Sequence, residues 1–139
     1  MATVRQRPMG VAAVVEPSGR GSLAAVSGAT AVLAGSPSMP GLNPLELFDA
    51  ALAGCLALSV RIAARHLGLA DRIGEVRVEV TGEKAADAPS RIARQVCRFG
   101  IAGDLAESER AALIAEAHRI CTIGNSTAAA VEIVDGDPL

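Results

Sequence analysis

Three cysteines, Cys55, Cys97 and Cys121, and two histidines, His66 and His118, are the side chains of this chain best suited to covalent or metal chemistry. A thiol reacts through its thiolate. An ordinary cysteine is mostly protonated at neutral pH, so reactivity needs a neighbouring positive charge or its equivalent. Cys55 stands among small apolar residues, in Ala53-Gly54-Cys55-Leu56-Ala57, where a free cysteine is most often a small core hydrophobe. The middle of a helix gains nothing from that helix's own dipole, so a reactive Cys55 would need an arginine brought from elsewhere. Cys121 ends an apolar segment beside Thr122, Gly124, Asn125 and Ser126, where the backbone breaks and a thiol can be approached; a core cysteine at a helix end fits equally well. Cys97 alternates with Phe99 and reads as core. His118 and Cys121 have an H-x-x-C spacing, but no further Cys or His lies near in sequence to complete four ligands, so zinc is not expected. No phosphate-binding glycine loop, nucleophile elbow or Ser-His-Asp arrangement is present.

The elements that must position these residues can be read from the pattern. Residues 10–34 read as three short strands with turns at Pro17-Ser18-Gly19 and Ser27-Gly28. The central helix, about 44–67, is the clearest element: Asn43 is an N-cap, Pro44 occupies the favoured first position and Glu46 completes a capping box. Phe48, Leu52, Cys55, Ser59 and Ile62 recur at steps of three and four and share a face. Alanines and Leu58 make most other faces apolar, so the helix is expected to be buried nearly all round. Residues 74–101 read as an antiparallel strand pair with Val76, Val78 and Val80 on one face, and Ala93, Cys97, Phe99 and Ile101 facing inward on the second strand. A second helix, about 105–121, carries Leu113, Ile114, Ala117, Ile120 and Cys121, and a C-terminal strand is expected at 130–134. The order βββ–α–ββ–α–β is α+β, in a single domain over residues 1–139.

Composition narrows the function. The formal net charge is −2, the pI is about 5.7, and Phe48 and Phe99 are the only aromatics. The chain therefore lacks both the basic footprint and the stacking rings of a nucleic-acid binder. Its 28 alanines bury little area each, so extra burial in a dimer would help. Arg5 and Arg7 are followed by Pro8 and Gly10 rather than an apolar run, so no signal peptide is expected. The most apolar stretch, residues 50–60, is about half a bilayer span, so no membrane role is expected. The expected compartment is the cytoplasm, where a disulfide would be catalytic or sensing rather than structural.

The segment Asn43-Pro44-Leu45-Glu46-Leu47-Phe48-Asp49-Ala50-Ala51-Leu52-Ala53-Gly54-Cys55 resembles the N-P-x-E-L-x-x-A-A-x-A-G-C motif of the OsmC/Ohr family, and Cys121-Thr122-Ile123-Gly124-Asn125-Ser126 resembles its second-cysteine segment. The resemblance implies an OsmC-like fold, intertwined homodimers with active sites at the subunit interface, and reduction of organic hydroperoxides. It makes Cys55 the peroxidatic thiolate and Cys121 the resolving thiol, with an external thiol or dithiol as reductant and no metal or bound cofactor. Gly54 would let a second chain segment come close. The family's catalytic Glu falls here on Leu45; Glu46 is the neighbouring candidate, with the capping box as its simpler duty. Arg20, in Ser18-Gly19-Arg20-Gly21, is the one candidate for the family's early arginine, with Arg61, Arg94 or Arg98 as substitutes. Other readings on the same fold are a non-catalytic binder of a small apolar ligand, favoured by Leu45, and a thiol redox sensor.

Overall fold

The computed structural model describes residues 7–139; Arg5 lies outside them. The chain divides into two compact units, Met1–Phe48 and Asp49–Leu139, and the boundary falls inside the first helix.

The first unit is an antiparallel sheet of β1 (Val11–Val15), β2 (Gly21–Ala25) and β3 (Thr30–Leu33), in that order. Turns close it where the sequence puts Pro17-Ser18-Gly19 and Ser27-Gly28, through Gly19 N–H to Glu16 O and Gly28 N–H to Ala25 O. Of the strand residues only Gly21 is buried, and β1 is exposed along its whole length. Beyond β3 the loop returns to it by a parallel bridge from Leu42 to Leu33. Gly41 permits this approach: its φ is +114°, and a Cβ there would lie 2.5 Å from the Val32 carbonyl oxygen.

Helix α1 (Pro44–His66) begins as the sequence dictates. Asn43 Oδ1 accepts from Glu46 N–H at 2.9 Å, and Glu46 Oε2 accepts from Asn43 N–H at 2.9 Å. In the second unit α1 packs with β4 (Ile73–Lys84), β5 (Ile92–Gly103), α2 (Glu107–Ile120) and α3 (Thr122–Ala128). β4 and β5 form one long hairpin, with Val76, Val78 and Val80 opposite Ile101, Phe99 and Cys97. One part of the core joins Val60, Ala63 and Ala64 of α1 to Ile101, Leu113 and Ala117.

Three expectations change. The buried face of α1 is Leu52, Leu56, Ser59, Val60, Ala63 and Ala64, rotated from the expected one, while Phe48 and Ile62 are each 37% exposed and Leu58 69%. One chain supplies cover for only one side of the helix. Although α1 is long and apolar enough to cross a membrane by length and composition, those residues make it the core helix of its unit. Ala93 is exposed, beyond the stretch of β5 that faces the core. No strand forms at 130–134: no other strand pairs there, and Val131, Ile133 and Val134 are exposed.

Candidate active site

Cys55 and Cys121 meet. Leu52, Leu56 and Cys121 form a buried cluster against which Cys55, Cys97, Val78, Val80, Phe99 and Ile123 pack. Cys55 and Ser59 come from α1 one turn apart, so both side chains reach the same neighbours. Cys121 is the joint between α2 and α3. Its backbone is extended (φ −68°, ψ 107°), it is fully buried, and its Sγ accepts from the Gly124 N–H at 3.3 Å.

The two thiols are displaced in opposite directions. Burial pushes the Cys55 thiol up, but hydrogen bonds from the Ile123 backbone, the Cys121 thiol, the Ser59 hydroxyl and the Thr122 backbone reverse this and hold it below the ordinary thiol value. Cys121 is raised, first by burial and then by its hydrogen bond to Cys55 and the charge there, against relief from the Gly124 N–H. Of the two, Cys55 is therefore the more readily ionised, and Cys121 is held toward its protonated form beside it.

The required positive field has a source that the sequence reading missed. No arginine contributes to the lowering of Cys55. The start of α3 supplies backbone N–H groups instead, because the break at Cys121 aims the next turn at α1. Arg61 donates to the Gly74 carbonyl at 2.6 Å, Arg94 pairs with Glu83 at 2.7 Å and Arg98 with Glu79 at 3.4 Å. Arg20 sits in the exposed turn before β2, where its backbone N–H donates to Ser18 Oγ at 3.3 Å. Glu46 is engaged in the capping box, and Leu45 is exposed. Ser59 also escaped assignment, though its i+4 spacing from Cys55 on an apolar helix was the available signal.

The two histidines have other partners. His66 Nδ1 is 3.1 Å from Glu116 Oε1, and His118 packs edge-on against Phe99 with ring centroids 5.5 Å apart. Cys97 faces the cluster from β5 and is raised by burial and by the Asp49 carboxylate. Among the described residues no three His, Cys, Asp or Glu side chains converge to hold a metal. Nothing within 4 Å of Gly54 would meet a Cβ there, so that face of α1 is open within one chain.

Known proteins share this architecture. The chain superposes on an OsmC-like protein from Mycoplasma pneumoniae with a TM-score of 0.79 at 16% identity, covering 91% of each chain. An organic hydroperoxide resistance protein from Elizabethkingia anophelis matches with a TM-score of 0.70 at 19% identity, over 95% of this chain and 94% of that one. One from Legionella pneumophila matches with a TM-score of 0.65 at 22% identity, over 88% and 90%. No curated protein matches the sequence significantly. The sequence itself matches the OsmC-like protein family over residues 35–134, a span that takes in both Cys55 and Cys121. The fold and that match agree with the two cysteine segments, and the chain belongs to the OsmC-like family.

Proposed function

We propose that the protein is a thiol-dependent peroxidase that reduces organic hydroperoxides to alcohols, an antioxidant role suited to oxidative stress. The observation that carries this reading is the contact between two thiols displaced in opposite directions, Cys55 down and Cys121 up. The names of the hydroperoxide resistance proteins that share the fold support the choice of substrate.

In this reading the Cys55 thiolate attacks the terminal peroxide oxygen. The O–O bond breaks, Cys55 becomes a sulfenic acid, and the alkoxide takes up a proton to leave as the alcohol. Cys121 then condenses with the sulfenic acid, forming the Cys55–Cys121 disulfide and releasing water. An external thiol or dithiol restores both thiols by exchange. The Thr122 and Ile123 backbone and the Ser59 hydroxyl stabilise the thiolate, and Leu52, Leu56 and Ile123 give apolar surroundings to the peroxide's organic group. Arg20 is the cation proposed to orient the peroxide, Glu46 supports the start of the helix that carries Cys55, and the working unit is a homodimer in the cytoplasm.

The test is intact mass after reduced protein meets one equivalent of cumene hydroperoxide, followed by digestion without reductant. Rapid loss of two hydrogens and a Cys55–Cys121 cross-linked peptide are expected. Three free thiols persisting for minutes would overturn the reading in favour of ligand binding.

A further inference from the structure

Cys97 is the nucleophilic group that the proposed reaction leaves unused. It belongs to the same cluster as Cys55 and Cys121, so a sulfenic acid on Cys55 has two thiols in its surroundings. Along the inner face of the hairpin from Cys97 stands the half-buried carboxylate of Asp49, from the helix that carries Cys55. Its oxygens accept from the Gly82 N–H at 3.1 Å and from Gln95 Nε2 at 2.9 Å. Gly82 and Gln95 are a register pair, and the next pair inward on the same face is Val80 and Cys97, about 7 Å along an extended strand. Room for the carboxylate comes from the missing side chain at Gly82, where a Cβ would lie 3.1 and 3.2 Å from its two oxygens. A charge held between helix and sheet acts over a longer range than one in open water.

We propose that Asp49 is a positioning residue that keeps Cys97 in its thiol form, leaving Cys121 as the thiol that condenses with Cys55. The condensation rests on the peroxidase reading; the silencing of Cys97 does not. A nearby negative charge disfavours a thiolate, and burial and Asp49 act on Cys97 in the same direction. The titratable groups around Cys97 are Asp49 and Cys55 from α1 and Cys121 from the α2–α3 joint. Cys121 is also held back by burial, and by Cys55, but that second restraint ends when the Cys55 thiolate becomes a neutral sulfenic acid. The charge on Asp49 persists. Oxidation of Cys55 therefore lifts one of the two restraints on Cys121, burial remaining, and neither of those on Cys97. The Cys121 sulfur, losing its proton, then attacks the Cys55 sulfur; the S–O bond breaks, and the departing hydroxide takes that proton to form water.

The test is the pH profile of Cys97 alkylation by iodoacetamide in a Cys55→Ser/Cys121→Ser background, which needs no peroxide chemistry. Asp49→Asn is expected to move the midpoint to lower pH and to speed labelling at pH 8 several-fold. Gln95→Leu, which keeps the carboxylate and removes one of its hydrogen bonds, should leave the midpoint in place. An unmoved midpoint in Asp49→Asn, or equal acceleration in both variants without a midpoint shift, would reduce Asp49 to packing and overturn the proposal. In the three-cysteine chain, one equivalent of cumene hydroperoxide should give Asp49→Asn a Cys97-containing disulfide that the parent lacks. Only Cys55–Cys121 in both proteins would overturn the directing role. A parent that forms no disulfide while the labelling midpoint still shifts would sink the peroxidase reading and support the silencing.

Discussion

Cys55 is held below the ordinary thiol value by neighbours of three kinds, the backbone N–H groups that begin α3, the Cys121 thiol and the Ser59 hydroxyl, acting together against burial. The sign of the pH dependence follows. Peroxide consumption should rise with pH as Cys55 ionises and level off below the ordinary thiol range. Ser59→Ala removes one stabilising donor from a residue only 4% exposed, so the profile should move to higher pH with little change in Tm. Cys55→Ser should abolish turnover, whereas Cys121→Ser should leave a sulfenic acid that overoxidises after one cycle, read by mass as added oxygen. Glu46→Gln retains a capping partner for Asn43, so unchanged turnover would assign Glu46 to the helix end alone. Arg20→Ala tests the proposed cation: a lower kcat/KM with an unmoved Cys55 titration is the outcome for a residue that orients peroxide. The capping box was legible in sequence because it depends on residue type and local spacing, and the cysteine pair was legible only through the resemblance of its two segments to a known family. The donors at Thr122 and Ile123 were not, because a backbone N–H has no letter in the sequence and its aim depends on how the chain closes.

The joint at Cys121 matters most at the level of elements. α2 ends and α3 begins on one residue, and the extended backbone there turns the first N–H groups of α3 toward α1. Leu56 and Leu113 are fully buried on the helices that must hold this alignment. Leu56→Ala should cost about 2–5 kcal/mol in urea unfolding, with loss of Cys55 reactivity at temperatures where the fold survives. On α2, Glu116 is held down to about 2 by Arg119 and His66. Its depressed value favours the folded state fully above the ordinary glutamate range, and that contribution is lost as pH falls toward about 2. Glu116→Gln should therefore flatten the acid limb of a plot of unfolding midpoint against pH. Helix α1, the valine alternation of β4 and the apolar face of α2 were all readable from periodicity. The rotated burial of α1 was not, since an alanine-rich helix looks much the same from every side. The strand expected at 130–134 shows a different limit: β-branched residues give a segment the propensity for a strand but not a partner to pair with.

For the whole molecule, the proposed homodimer would account for much of what one chain leaves uncovered. β1 is exposed along its length, Leu58 and Ile62 point outward from α1, and nothing fills the space beside Gly54. Sedimentation equilibrium at micromolar concentration should give twice the chain's 14.1 kDa mass, and Leu58→Asp should shift the population toward monomer if α1 lies in the interface. The sheet has a further consequence for handling. The sequence of β1, VAAVV, carries no charge and forms one edge of a three-stranded sheet, and an uncharged apolar edge invites pairing with any other strand. If a second copy shields that edge, dilution dissociates the shield. Precipitation after prolonged storage should then be worse in dilute samples than in concentrated ones, and concentrated stocks should keep longest.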